Sequence, residues 1–254
     1  VNLTAIVETL KRPGLLGVLG QRSEKRLQKG LEAYFHILGR KVAGLNLEQL
    51  AHDSPGHVKH VVEMRLHNTL RTTSPLLKAA LEAGIQDAML KTNHIHHYSE
   101  AAEDDTSTDY LGLTGQEAAD YASQRAGPLV TGINATTQQL IADAIETGIE
   151  DMLGVQGTGK LLRDTLESMS TYRSQMIATT EMNDAMSEAM MRKLGSIGVA
   201  YKQWIAATAC CDDCADNDDA SPIPIDEAFP SGDMRPPAHP NCRCAVAGAQ
   251  APDA

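Results

Sequence analysis

Apolar residues recur at every third or fourth position through most of the first 194 residues, so the chain reads as a series of amphipathic helices. Leu27, Leu31, Tyr34, Phe35 and Leu38 set the stripe of a helix over 21–52, with Ser23 as its cap and Gly39 and Gly44 as candidate breaks. Ser54-Pro55 predicts a fresh start, a capping hydroxyl before proline at the first helical position, and Ser74-Pro75 repeats it. Two consecutive helices are therefore expected, one carrying Val58, Val61, Val62, Leu66 and Leu70 and the next Leu77, Leu81, Ile85, Ala88 and Met89. A short helix over 115–125 should stop at Gly127-Pro128. Thr136 with Gln139 reads as a capping box ahead of the stripe Leu140, Ile141, Ala144, Ile145, Ile149 and Met152. Gly154 to Lys160 has the spacing of a phosphate-binding loop. However, a helix precedes it and Leu161 stands where a magnesium-holding hydroxyl is needed, so a glycine turn between helices is predicted. A short helix over 160–169 and a long one over 171–194 follow. The long one has Met176, Met186 and Met190 as packing residues and Gly195 as its C-cap.

At residue 199 the period changes. Val199 to Ala207 alternates, is rich in strand formers, and predicts a strand through Tyr201 and Trp204. It runs into Cys210-Cys211-Asp212-Asp213-Cys214, then a proline-rich, acidic and irregular segment over 215–238, then His239-Pro240-Asn241-Cys242-Arg243-Cys244. Such a segment buries too little apolar surface to offset its ordering entropy without a staple. The fold class expected is mainly α, with long helices in the N-terminal and central parts and a small C-terminal α+β module stapled by a Cys/His cluster. The expected division is a helical region over 1–105 and a second region over 106–254, with helices over 115–194 and the strand and knuckle over 199–246. Residues 100–115, acidic and poor in apolar side chains, mark the boundary.

All five cysteines lie in the two clusters. A Cys-x-x-Cys turn offers two thiolates to one ion and a His-x-x-Cys turn two more ligands, which is the arithmetic of a tetrahedral zinc site. Cys211, Cys214, His239 and Cys242 form the best set. Cys244 is a substitute for Cys242, since the two are read as alternating on an extended strand with only one facing inward, and Cys210 is spare. A pair of disulfides and uncoordinated reduced thiols are the alternatives, and the spacing leaves all three open. A closed four-ligand site has no position for water, so its zinc would hold the fold rather than catalyse.

Composition adjusts this picture in three ways. With only Phe35, Phe229 and Trp204 as large apolar aromatics, the core must be aliphatic and methionine-rich. The net charge of −11 excludes a protein that wraps DNA over its whole surface. The charge is uneven, however. Residues 1–41 hold Lys11, Arg12, Arg22, Lys25, Arg26, Lys29, Arg40 and Lys41 against three glutamates, a basic arm suited to DNA or an acidic partner. No run of about 18 apolar residues exists to span a membrane. Nothing near the start reads as a secretory signal, so synthesis in a reducing compartment is expected, where clustered cysteines are more often metal ligands. His94, His96 and His97 suggest a metal tract, but they point in different directions on a helix and read as a solvated end. Glu181 and His57 stand alone. No catalytic triad, no framed carboxylate pair and no nucleotide loop is legible.

Residues from about 125 to 245 resemble the Mu F-like head morphogenesis family, the minor head (minor capsid) proteins of tailed phages. The resemblance is carried by Arg173-Ser-Gln-Met-Ile-Ala-Thr179-Thr180-Glu181, then Trp204, then Cys211-x-x-Cys214, and above all by Pro237-Ala-His239-Pro240-Asn241-Cys242-Arg243-Cys244. Cys210 departs from the family's usual pair. The resemblance implies a structural, non-enzymatic minor capsid protein of the virion. It would be assembled in the host cytoplasm and sit at the portal vertex, acting in head morphogenesis and in DNA packaging or ejection. Its implied partners are the portal protein and the major capsid protein, with packaged double-stranded DNA met through 11–41. The rivals are a zinc-containing DNA-binding module and a hydrolase or toxin-like transferase built on the same cluster.

Overall fold

The structure, a computed structural model, describes residues 15–43, 55–100 and 114–251. It is mainly helical. Four long helices, α1 (Leu15–Ala43), α2 (Pro55–Glu100), α3 (Gly115–Glu150) and α4 (Gly154–Ser196), precede a small module of β1 (Tyr201–Ile205), α5 (Asp212–Asp219), β2 (Ile223–Pro224) and β3 (Ala245–Ala249). The boundary expected near residue 105 lies outside the described residues.

The helices are fewer and longer than the local signals predict. Pro75 and Pro128, read as a start and a stop, both lie inside continuous helices. Proline removes one N–H and frees the carbonyl four residues back. Here those carbonyls belong to Arg71 and Gln124, both exposed and open to water, so neither helix has to end. Just upstream, Ser74 donates to the Leu70 carbonyl at 2.6 Å and Thr73 to the Thr69 carbonyl at 2.8 Å. Thr136 and Gln139 do not cap. Thr136 bonds back to the Gly132 carbonyl and Gln139 reaches Asp143. The capping box is instead Thr114 with Glu117, at 3.2 Å and 2.8 Å, and it starts α3. Ser23, predicted as a cap, sits inside α1 and donates to Asp87 at 2.6 Å. The turn expected at the glycine run falls just before it, at Asp151–Leu153, and the two helices expected over 160–194 are one. Gly195 is not the cap of α4. Gly198, at φ 70°, closes the helix through Val199 N–H to Leu194 O (3.0 Å) and Gly198 N–H to Gly195 O (3.2 Å).

The chain divides into two compact units drawn from interleaved segments. One comprises Leu27–Glu82 and Ser123–Gln175. Its core is leucine and isoleucine from the helices, including Leu31, Leu38, Leu77, Leu81 and Ile141. A partly buried hydrogen-bond chain links its helices: Tyr34 donates to Asn134 at 2.8 Å, and Asn134 donates to Ser74 at 2.8 Å. Arg173 is buried beside it, bonded to Thr137 and to the Ile133 carbonyl and stacked 5.5 Å from the Phe35 ring. The other unit comprises Val1–Arg26, Ala83–Ala122 and Met176–Ala254. It contains the sheet, ordered β2-β1-β3 and antiparallel throughout, with Trp204 opposite Val246. The strand expected over 199–207 is there, trimmed to 201–205. The segment expected to be wholly irregular contributes α5 and β2.

Candidate metal centre

The module is built around Trp204. Alternation on β1 buries Lys202 and Trp204 and leaves their neighbours half-exposed. The indole meets Phe229 edge-to-face at 5.0 Å, and Cys214, Cys242 and Cys244 complete the cluster. Lys202 is fully buried, donates to the Met234 carbonyl at 2.8 Å and lies 5.1 Å from the Phe229 ring, which fixes the proline-rich segment. Burial pushes its pKa down, and Asp226 opposes that.

Cys211 is the cap residue of α5 and Cys214 lies in its first turn, so the helix start directs both side chains. His239 and Cys242 are joined by a turn, Cys242 N–H to His239 O at 3.2 Å, with Asn241 at φ 65°. The ligand atoms of Cys211, Cys214 and His239 lie within 4.8 Å of one another, and so do those of Cys214, Cys242 and Cys244. Cys214 belongs to both groups. Its sulfur is 3.5 Å from His239 Nε2 and 3.8 Å from Cys242 Sγ. A zinc tetrahedron with bonds of about 2.3 Å to sulfur and about 2.0 Å to nitrogen has edges of about 3.5 Å (S···N) and about 3.8 Å (S···S). The spacing therefore fits two edges of one coordination sphere, and it is far longer than the S–S bond of about 2.05 Å in a disulfide. All five cysteines are free thiols.

The surroundings fit a metal as well. His239 Nδ1 is 2.9 Å from the Pro240 carbonyl. A carbonyl can only accept, so Nδ1 carries the proton and Nε2 turns its lone pair toward Cys214. Cys244 accepts an N–H from Ala207 at 3.5 Å, and the Trp204 indole nitrogen beside it is buried without another partner. These donors suit a thiolate. The Cys244 thiol is drawn down to about 5, chiefly by Cys242 and further by Ala207 and Trp204. Cys242 is pushed up by Cys244 and by burial, and burial pushes Cys214 up to about 12. Burial and the mutual repulsion of neighbouring thiolates thus oppose ionisation of more than one of the three. A divalent ion would let the others ionise too.

One expectation about this cluster fails. Cys242 and Cys244 are both buried, at 1% and 2% exposure, with Arg243 turned outward between them. Residues two apart on an extended chain share a face, so Cys244 is a fifth candidate ligand rather than a residue that must point away. Cys210 is half-exposed and joins neither group. Glu181 is buried and bonded. The side chains of His57, His94, His96 and His97 lie outside the described residues.

The sequence reading missed how the module is seated on α4. Thr180 accepts the Asn241 N–H at 2.9 Å, and Asn183 donates to the Cys242 carbonyl at 2.8 Å. Arg243 reaches Thr179 and Glu24, both at 3.2 Å. Arg235, from the proline-rich segment, meets Asp184 at 2.6 Å and Glu188 at 3.1 Å. Thr180, Asn183, Asp184 and Glu188 stand at i, i+3, i+4 and i+8, so one face of α4 holds both ends of the knuckle. That spacing of polar residues in a helix was the available signal.

These features define a helical protein with a Cys/His knuckle clamped to its last long helix. Comparison with known families names the knuckle: the model described as Phage Mu protein F like protein matches residues 138–247, so this stretch is Mu F-like, as its motifs suggest. No curated protein and no solved structure matches the chain.

Proposed function

We propose that the chain is a structural minor capsid protein of a tailed phage, docked at the portal vertex, that acts in head morphogenesis and in DNA packaging or ejection. It is not an enzyme. Its Cys/His cluster binds one structural zinc ion through Cys211, Cys214, His239 and either Cys242 or Cys244. The portal protein and the major capsid protein are its partners, and the virion is its location. The observation that carries the reading is the seating of the knuckle on α4 inside the matched stretch. Four ligands close the ion off from substrate, and the contacts around them are spent on holding two parts of one chain together. No helix is long and apolar enough to cross a membrane among the described residues.

The test is co-purification with the portal protein, with metal content measured on the same sample. Retention on the portal and one zinc per chain are expected. Failure to associate would count against the head role. Freshly purified reduced protein without zinc would overturn the metal assignment.

A further inference from the structure

We propose that the α3–α4 turn is a docking knob that seats in the methionine-walled cavity between α4 and β3 of a second copy of this chain. In the turn, Met152 is 89% exposed and Leu153 43%. Both are apolar where the local backbone favours something else. Met152 sits at φ 51°, a region that glycine and asparagine enter readily and a long side chain does not. Leu153 immediately precedes the first residue of α4, the capping position that serine, threonine, aspartate or asparagine fills best. Neither side chain serves the folding of the turn, and local conflicts of this kind collect at functional sites.

The cavity has a volume of about 180 Å³. Met182, Met186 and Met190 of α4 and Ala245 and Val246 of β3 form its apolar wall. Every residue lining it belongs to the unit that contains the knuckle. A cavity of about 150 Å³ holds benzene, so this one has room for a methionine side chain, which has fewer heavy atoms. Methionine walls also reshape readily around a guest. The charges at the two surfaces match. Glu146, Glu150 and Asp151 flank the knob, all exposed and none with an ion-pair partner among the described residues. At the cavity, half-exposed Arg243 is one of the lining residues, and exposed Lys25 stands one helical turn beyond the lining residue Gln21, on the same face. The acid that lines the cavity, Glu24, is already bound by Thr179 and Arg243. Size, polarity and charge of the guest are thus all supplied by the chain itself. Knob and cavity are different surfaces, so the contact runs head to tail, each copy giving one and receiving one. It does not depend on the head role.

Sedimentation equilibrium of the full chain over a concentration series tests this, with Met152→Asn/Leu153→Ser as the tip variant and Met186→Glu as the cavity variant. The parent should self-associate. Asparagine suits the positive φ and serine the cap, so the tip variant should melt no lower than the parent. It should nevertheless associate at least about tenfold more weakly, the loss expected when one such side chain stays in water. Met186 is half-exposed, so the cavity variant should keep its helical circular dichroism; if it melts early, the tip variant alone decides. Neither variant should associate by itself, and their mixture, which retains one intact knob and one intact cavity, should form a one-to-one dimer and nothing larger. A parent that stays monomeric, a tip variant that associates as well as the parent, or a mixture of folded variants that stays monomeric would overturn the proposal. A monomeric parent whose tip variant loses the portal would assign the knob to that protein instead. Self-association without portal retention would leave this contact standing and remove the head role.

Discussion

At the scale of single residues, the sharpest constraint is steric. A Cβ at Gly148 would collide with Thr158 Oγ1 and lie 2.7 Å from its methyl carbon, so the α3–α4 turn closes only over a bare backbone. Gly148→Ala should destabilise the protein by about 1–3 kcal/mol, read as a fall in melting temperature, and adding Thr158→Ala should recover part of the loss. The capping box makes a different kind of prediction. Glu117 is held below the usual carboxylate range, first by the Thr114 backbone N–H and then by its hydroxyl. A depressed carboxyl contributes stability that is complete above its unfolded pKa, about 4.3, and lost as pH falls through the folded value. Amide exchange in the first turn of α3 should therefore accelerate below about pH 4, and Glu117→Gln, which has no carboxyl to titrate, should remove that dependence.

At the scale of elements, the sequence predicts that helices exist and which face is buried better than it predicts where they end. The stripes Leu27–Leu38 and Leu77–Met89 are buried as read. Proline and glycine misled because each was read as a local stop, whereas a stop also depends on what the freed carbonyl meets. At Pro75 and Pro128 it meets water. The cluster was legible as a composition of ligands and their spacing. The hydrogen bonds that orient it were not, because the donors lie on β1, on α4 and at Ala207, remote in sequence from the atoms they serve. Two expectations belong at this scale. Asn134→Ala should cost about 1–3 kcal/mol by removing the acceptor of the Tyr34 hydroxyl and a donor to Ser74, and combining it with Tyr34→Phe should cost less than the sum of the two. Asp184→Asn should cost about 3 kcal/mol, because the half-buried Arg235 then keeps only Glu188 as a counter-charge.

At the scale of the whole molecule, the chain is a helical scaffold whose last long helix holds a Cys/His knuckle. Trp204 is the only tryptophan and lies in the knuckle's core, so its emission reports on that module alone. Chelation of zinc under reducing conditions should shift the emission to the red while far-ultraviolet circular dichroism keeps most of its helical signal. Cys214→Ser should reproduce this, and Cys210→Ser should not.

The interleaving of the two units also bears on the order in which a ribosome releases them. The unit of Leu27–Glu82 and Ser123–Gln175 has all its parts once Gln175 has emerged. The other takes its first segment from before that stretch and its last from Met176 onward, so its early helix turns must wait for the cysteines to be synthesised. During that interval Glu24 is already present in the nascent chain but still lacks Arg243, its eventual partner from the far end.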